Sequence, residues 1–578
     1  MQKVKEMLRN NKKIIWIILS IFLTIGLSIS IYVENNMFYF EGNQIIWLFL
    51  CVFIYMIFKQ SDKYEKKRLK VCSGILALIL TIFQVLGVVT KNNWITTEVI
   101  VTKEIVIFMI FKFISFSILL YNIIKILFSI IENIKWEKTG KDILRTNLKS
   151  FVIVAVLLFI LWLPYFLNYY PGITSYDTHY QLMQGFGKIP YNNHHPVLHT
   201  FLMSSIVKIG HAITGDYNVG IALYSILQMI FCAITLSFVI YYMGKKNVNP
   251  TFKLLTFIGF AFIPFIPQFS IAVWKDVPFA MFMVWFLIGI IEIITNKEEF
   301  FSNKRNLLFF IIITLCVLFF RNNGVYIVIL TIPFVILFFR KYWKQILLIF
   351  LLPIVFYYII TGPVFNKLNI AKSSPREMLS IPIQQMARIV KYKQDELPQE
   401  YKDLIGQYID INNAAENYDP TISDPVKNTF NDGTFNQDKL NLVKLYIKLA
   451  LKYPGETLEA LVGNTYGYYY PEAVTYPVAT GVYKSPFEQE NFMNLQETQL
   501  VNLPIISLIA NIGFVFWIVL GIVFYNIYQK RYKYLLMFIP VGILYLTCLA
   551  SPVSGELRYI YAMFVSLPLF VGIGLQRK

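Results

Sequence analysis

Long apolar runs along nearly the whole chain constrain its fold more than any other feature. A helix that crosses a bilayer needs about 20 apolar residues, because its backbone polar groups must be hydrogen-bonded internally. We predict about fourteen spans, at 14–32, 38–58, 71–89, 105–124, 150–168, 217–242, 252–270, 277–295, 305–320, 325–339, 345–361, 504–527, 534–550 and 557–574. The sequence therefore predicts an all-α polytopic membrane protein.

Lysine and arginine alternate from loop to loop. The loop at 59–70 is rich in Lys and Arg, whereas 33–44 carries Glu34 and Glu41 and no basic residue. Basic loops stay on the cytoplasmic side, so the pattern predicts a cytoplasmic N-terminus in a multi-pass membrane protein. The same bias accounts for the net charge of +18 without a nucleic-acid partner. The richness in Ile, Lys, Asn, Phe and Tyr is typical of an AT-rich bacterial genome, so we expect the membrane to be a bacterial cell membrane.

The spans and the polar stretches between them divide the chain into parts. We predict a mostly helical extracytoplasmic domain between the eleventh and twelfth spans, and an amphipathic interfacial helix after Pro196. Near the end of that domain, the aromatic cluster 466–471 is typical of an interfacial belt or of a sugar-stacking surface. The predicted parts are an N-terminal four-helix module (1–149), a membrane core (150–361) with a first outer loop (169–216), the outer domain (362–503) and a C-terminal three-helix part (504–578).

Polar chemistry gathers on the predicted outer face. All five histidines lie in one short stretch beside Asp177, at positions 179, 194, 195, 199 and 211. The strings WKD (274–276), RNNG (321–324) and SGELRY (554–559) are predicted to face the same side. Ionisable groups near a bilayer are costly and are usually kept for function. We therefore predict one composite extracytoplasmic site.

Asp177 follows the turn residues Pro171 and Gly172 at the outer end of a predicted span. A carboxylate there can act as a general base on a hydroxyl, bind a divalent cation, or simply cap a helix or turn. His195 and His199, four residues apart, are weak candidates for a metal pair, and histidines that hydrogen-bond a polar substrate are the favoured interpretation. No cofactor is certain from the sequence, and a divalent cation stays open.

Lys275, Arg321 and Arg558 place three cations at the outer membrane surface. Together they suit a phosphate or diphosphate at headgroup depth, which arginine can bind in bidentate fashion. Each one alone is more typical of a snorkelling or salt-bridged residue at a helix end.

This layout resembles the GT-C class of membrane glycosyltransferases. The strings YYPGITSYD, NHHPVLHT, WKDVPF, RNNGVY and SGELRY also resemble an uncharacterised group of Gram-positive membrane proteins near that class. The resemblance covers roughly 150–575 and implies a GT-C-like core that transfers a sugar from a polyprenyl-phosphate carrier to an extracytoplasmic acceptor. Asp177 matches the acidic residue of the first loop, and Asp276 is the expected second carboxylate.

The resulting site prediction has two groups of residues. The expected catalytic residues are Asp177, His179 and Asp276. The expected substrate-binding residues are His194, His195, His199, Lys275, Arg321, Asn322, Asn323, Glu556 and Arg558.

Three other functions stay open at this level. A lipid-linked oligosaccharide flippase would also need many helices and cations, although transporters place charge near mid-membrane and often contain repeats. A polymerase or ligase of surface glycans would share the outer pocket and the lipid phosphate. A scaffold that binds cell-wall polymer through 362–503 would leave the clustered polar residues unexplained.

Overall fold

The computed structural model describes residues 2–32, 37–40, 42–91, 103–137, 140–473 and 506–576. Within these ranges nearly every element is a helix, as the apolar pattern predicts. Glu34, Glu41 and the end of the predicted outer domain, 474–503, lie outside the described residues.

The helices follow the predicted spans and the polar stretches between them. Before the outer domain they are α1 (Gln2–Ser28), α2 (Gln44–Ser61), α3 (Lys67–Val89), α4 (Lys103–Asn133), α5 (Leu148–Asn168), α6 (Tyr176–Gly185), α7 (Val197–Thr214), α8 (Tyr217–Lys245), α9 (Pro250–Phe262), α10 (Phe265–Ser270), α11 (Asp276–Thr295), α12 (Lys297–Ser302), α13 (Lys304–Phe320), α14 (Gly324–Phe338), α15 (Trp343–Ile359) and α16 (Phe365–Lys367). The later ones are α17 (Ser380–Tyr392), α18 (Gln399–Gly406), α19 (Ile411–Asn417), α20 (Asp424–Lys427), α21 (Asp432–Gln437), α22 (Lys439–Lys452), α23 (Pro454–Tyr469), α24 (Ile506–Ala510), α25 (Ile512–Tyr528), α26 (Ile539–Leu549) and α27 (Leu557–Gly574). Short 3-10 or π turns lie at Arg340–Tyr342, Ile360–Val364, Pro375–Met378 and Tyr532–Phe538.

Among the described residues, ten helical segments are long and apolar enough to cross a membrane. One of them is α7, which the sequence predicted to lie in the interface; its mean hydropathy of 1.2 is the lowest of the ten. The interfacial position of α7 therefore stays a prediction. The ten are Gln44–Ser61, Lys67–Val89, Lys103–Asn133, Leu148–Asn168, Val197–Thr214, Tyr217–Lys245, Asp276–Thr295, Arg340–Lys367, Tyr532–Leu549 and Leu557–Gly574.

The predicted bounds are wrong at two places for local reasons. The first two spans were drawn too long, because Ile29–Tyr32 and Met37–Phe40 pair as an antiparallel hairpin, β1 and β2. Both strands are rich in β-branched or aromatic residues, which favour extended backbone. The span at 252–270 is broken after α9, where Ile263 is extended. A residue that precedes a proline, here Pro264, is disfavoured in the α conformation.

Polar caps explain where several spans begin. The side-chain oxygens of Asn43, Asn147 and Asn511 accept hydrogen bonds from backbone N–H groups in the first turns of α2, α5 and α25. These N–H groups have no partner within the helix, so a capping side chain satisfies them.

Helix α11 is the centre of the main hydrophobic core. It packs against α8, α13 and α27, and it is the most buried of the candidate spans. Its N-terminal residue, Asp276, follows Lys275 directly. The most enclosed helix of the bundle therefore begins inside the predicted polar site, which gives that site a rigid support.

Helices α7 and α8 cross at two glycines. A Cβ on Gly220 would lie 2.2 Å from the carbonyl oxygen of Val207, and a Cβ on Gly210 would lie 2.4 Å from the Cα of Gly220. Small residues at such a crossing let two helix backbones approach closely. This crossing fixes α7, which carries His199, against the core.

Replacing Gly220 with alanine is therefore expected to destabilise the protein by about 1–3 kcal/mol, because the added methyl has no room. The same change at Gly521 is the control, since nothing lies within 4 Å of its Cβ position. Thermal loss of monodisperse detergent-solubilised protein measures both. Equal midpoints for the two variants would contradict the close crossing.

The outer domain has its own hydrophobic core, built from helices between Ile383 and Tyr453. The aromatic cluster at its end packs inside the protein. Tyr468 donates to the carbonyl of Val553 at 3.0 Å, and Tyr469 stacks on Phe83 with ring centres 5.0 Å apart. The cluster therefore joins α23 to α3 and to the loop before α27.

Candidate functional site

The segment before Asp177 is hydrogen-bonded to the segment that carries Lys275. Ile173 accepts a backbone hydrogen bond from Val273 at 2.8 Å. Thr178, in the first turn of α6, donates its hydroxyl to the carbonyl of Val273, also at 2.8 Å. These bonds bring the first outer loop and the WKD segment together although about a hundred residues separate them.

Asp177 is the centre of the site. Its Oδ2 accepts from Lys275 Nζ and from Arg558 Nη1, both at 3.0 Å. Burial alone would raise the pKa of this carboxyl, but the two cations outweigh burial and hold the pKa well below its usual range. The other oxygen, Oδ1, accepts no hydrogen bond from the residues described, and the side chain is 18% exposed. Asp177 is thus a permanent anion with one oxygen committed to the cations.

Lys275 also contacts His195. Its Nζ lies 3.0 Å from Nδ1 of the imidazole, and an ammonium can only donate, so Nδ1 is the acceptor. Burial, followed by the charge of Lys275, lowers the pKa of His195 to about 2. His195 is therefore neutral and presents Nε2–H as a donor.

Arg558 is fixed by aromatic rings and by a second carboxylate. Its guanidinium lies 5.6 Å from the centre of Trp274 and 5.0 Å from that of Tyr559. Its Nε lies 3.5 Å from Glu556 Oε1. Burial raises the pKa of Glu556 despite this nearby charge. Arg558 therefore holds Asp177 with one nitrogen and Glu556 with another.

A second ion pair lies beside the first. Arg321 Nε is 3.4 Å from Asp276 Oδ1, and Arg321 Nη1 donates to the carbonyl of Tyr559 at 2.6 Å. The rings of Phe279 and Tyr559 face the guanidinium. The Asp276 side chain is fully buried. Tyr559 thus connects the two ion pairs through its backbone and its ring.

His199 lies behind the site and uses both ring nitrogens. Nδ1 is 3.0 Å from Gln181 Nε2, and Nε2 is 2.8 Å from the Tyr224 hydroxyl. A metal could bind His199 only if one of these bonds broke, so the His195–His199 pair is a poor metal site. Across the described ranges, no group of three or more His, Cys, Asp or Glu residues is arranged to hold a metal ion.

His194 joins the site to the outer domain. Its Nδ1 lies 3.7 Å from Glu377 Oε1, and Glu377 is also paired with Lys427 at 2.8 Å. Asn322 Nδ2 donates to the carbonyl of Asn193 at 2.8 Å. These contacts connect the histidine loop, the RNNG turn and the start of the outer domain.

Two predicted residues stand apart from the ion pairs. His179 is exposed on α6, and residues two apart on a helix do not share a face, so it points away from Asp177. Asn323 precedes the first residue of α14 and its side chain does not cap that helix.

An apolar cavity of about 790 Å³ opens beside the site. Helices α7, α13 and α15 form its walls, with Phe201, Phe319 and Tyr357 among the lining residues. Asn193 and Asn322 line its polar end. The two asparagines at the polar end are therefore the sequence neighbours of His194 and Arg321, while long apolar helices form the walls.

Three residues of the site were not predicted: Trp274, Tyr559 and Glu377. The first two are neighbours of Lys275 and Arg558 in the quoted strings, and an aromatic residue beside a cation is a usable signal for cation–π contact. Glu377 gives no such signal, because only the folded chain brings it to His194.

The fold and this site define an all-helical polytopic membrane protein with a buried ion network at one end. Residues 186–577 match the model of DUF6020, a family of unknown function, and the chain belongs to that family. No curated protein matches the chain, and no solved structure matches it. The matched region contains Lys275, Arg321 and Arg558, whereas Asp177 precedes it.

Proposed function

We propose that this protein is an integral membrane glycosyltransferase that moves a sugar from a polyprenyl-phosphate carrier to an extracytoplasmic acceptor. The acceptor would be a cell-envelope glycan, lipid or protein. In this proposal the core is GT-C-like, the chain crosses the cell membrane about fourteen times, and the N-terminus is cytoplasmic. The ten candidate spans among the described residues support a multi-pass membrane protein, and the alternation of basic loops supports a cytoplasmic N-terminus.

One observation carries the proposal: Lys275 and Arg558 converge on a single oxygen of Asp177, and Lys275 also contacts His195, which lies between two residues that line an apolar cavity, Asn193 and Pro196. A pair of cations connected in this way to an apolar groove suits an amphiphile whose charged group is a phosphate. A polyprenyl-phosphate sugar has that form, because a long apolar chain and a sugar flank one phosphate. A soluble nucleotide sugar would have no use for the groove.

The groove would hold the first isoprene units of the carrier. Its walls on α7 and α15 carry large side chains such as Phe201 and Phe356. At its polar end, Asn193 and Asn322 stand one residue from His194 and Arg321. In this proposal a chain lying there directs its phosphate toward the loop that carries His195, the histidine that contacts Lys275.

The residues divide the chemistry of transfer between them. The acceptor hydroxyl oxygen attacks C1 of the sugar, and the bond from C1 to the phosphate oxygen breaks. Lys275 and Arg558 stabilise the charge that grows on the leaving phosphate, and preorganised charges of this kind are a large catalytic term. Asp177 keeps both cations in place through Oδ2 and orients the acceptor hydroxyl through Oδ1.

A transfer assay tests the proposal. Purified full-length protein in nanodiscs receives a panel of radiolabelled polyprenyl-phosphate sugars and a crude envelope acceptor, with and without chelator. We expect transfer from at least one donor. Donor that binds without being consumed, and that crosses the bilayer of sealed vesicles, would favour a flippase instead; chains lengthened by many units would favour a polymerase.

A further inference from the structure

The ion network is balanced in charge. Within the described residues it consists of two adjacent sets of ion pairs, at distances of 3.0–3.5 Å, with three cations and three carboxylates in total: Lys275, Arg321, Arg558, Asp177, Asp276 and Glu556. His195 is neutral because burial and Lys275 lower its pKa. The site therefore has no surplus positive charge with which to meet an anion.

Because the network is neutral, the charge that the proposed reaction adds to the site has to be compensated. A phosphodiester donor brings one negative charge, and the polyprenyl phosphate that leaves carries about two near neutral pH. The acceptor hydroxyl loses one proton in the same step. If that proton stays in the network, the total charge of the site does not change between donor and product, and no further uncompensated charge is buried.

Most groups in the network are unsuited to take the proton. Asp177 shares one oxygen with two cations, so its protonation would undo both ion pairs. Asp276 is fully buried and paired with Arg321, so its protonation would break that ion pair. His195 already uses Nδ1 to accept from Lys275.

Glu556 is placed differently. Within the described residues its ion-pair partner is Arg558, at the long distance of 3.5 Å, and its side chain is 11% exposed. It follows Gly555, whose φ of 73° requires a left-handed conformation that glycine adopts without strain. This turn leads directly into Glu556, the residue that precedes α27. Burial raises its pKa, whereas the two cations lower that of Asp177, and such divergence typically separates acid–base groups from charge-stabilising ones.

We propose that Glu556 is the proton acceptor of the reaction, an assignment that rests on the proposed glycosyl transfer. The acceptor O–H bond breaks and its proton passes to a Glu556 oxygen. The electron pair of the acceptor oxygen forms the new bond to C1. The electron pair of the old C1–O bond leaves with the phosphate, which remains between Lys275 and Arg558. Glu556 then releases the proton to solvent as the product lipid departs.

The first test measures protons rather than turnover. Calorimetric titration of polyprenyl phosphate into the nanodisc-embedded protein, in two buffers of different ionisation enthalpy, gives the number of protons taken up on binding. We expect wild type to take up about one proton per bound lipid near pH 7, and Glu556→Gln to take up less per bound lipid. Glu400→Gln, an exposed outer-domain change, should match wild type. Uptake by Glu556→Gln equal to that of wild type would overturn the assignment.

The second test measures transfer. Glu556→Gln should lower the transfer rate by about 10²–10⁴-fold, the usual contribution of a general base. In wild type the rate should fall as pH drops through the raised pKa of Glu556, because the protonated carboxyl cannot accept; Glu556→Gln should lose that limb. If wild type transfers sugar and Glu556→Gln is equally active, the assignment of Glu556 is refuted while the glycosyltransferase proposal stands. Glu556-dependent proton uptake without transfer from any donor would refute the glycosyltransferase and support Glu556 as the proton site.

Discussion

Asp177→Asn is expected to lower sugar transfer by about 10²–10³-fold. The amide removes the charge that holds Lys275 and Arg558, each less than 15% exposed at the side chain, and leaves two cations that repel each other. Breaking a buried ion pair by removing one partner costs about 3–5 kcal/mol. If most of this free energy is lost from the stabilisation of the leaving phosphate in the transition state, the transfer rate falls by about tenfold for each 1.4 kcal/mol.

The measurement is initial-rate transfer in nanodiscs at matched protein concentration. Asp395→Asn, on the exposed surface of the outer domain, is the control for loss of a carboxylate. Size-exclusion profiles of both variants report whether the fold survives. Transfer by Asp177→Asn within threefold of wild type, with a normal profile, would remove Asp177 from the mechanism.

Leu198→Trp is expected to separate long-chain from short-chain donors. Leu198 lines the apolar cavity, and an indole there would displace part of the bound chain. Each buried methylene contributes about 0.8 kcal/mol, so the loss of a few lowers the apparent affinity for a long polyprenyl donor by about 10²-fold. A donor truncated to one or two isoprene units should change little.

Competition between the two donors measures this preference directly. Ile209→Trp provides the matched control, because Ile209 is exposed on the same helix α7 and is not among the residues that line the cavity. Equal losses for both donors in Leu198→Trp would mean that the tail lies elsewhere.

The sequence predicted the composition of the site better than its internal contacts. Lys275 and Arg558 could be grouped with Asp177 because the alternation of loop charges puts all three on one face. The sequence could not show that both cations meet the same oxygen, since that depends on the pairing of Ile173 with Val273 and on the packing of α27 against α11. For the same reason the sequence could not identify Glu556 rather than Asp177 as the proton acceptor, because the two carboxylates differ in their ion-pair partners.

The helical architecture was readable from apolar runs, and its exceptions were local. The hairpin at β1 and β2 and the break before Pro264 depend on a few residues inside runs that are apolar throughout. The histidines show where residue spacing is not enough to predict a site. Spacing alone made His195 and His199 a possible metal pair, whereas the fold points them to different partners, Lys275 and the pair Gln181–Tyr224.

The most direct test of the account is a cryo-electron microscopy structure of the full-length protein in nanodiscs with a bound polyprenyl-phosphate sugar. The account predicts that the phosphate lies within hydrogen-bond distance of Lys275 and Arg558. It also predicts density for the isoprenoid chain between α7, α13 and α15, where Phe201 and Phe319 line the cavity. A phosphate bound away from both cations, with the cavity empty of lipid, would contradict the proposed site.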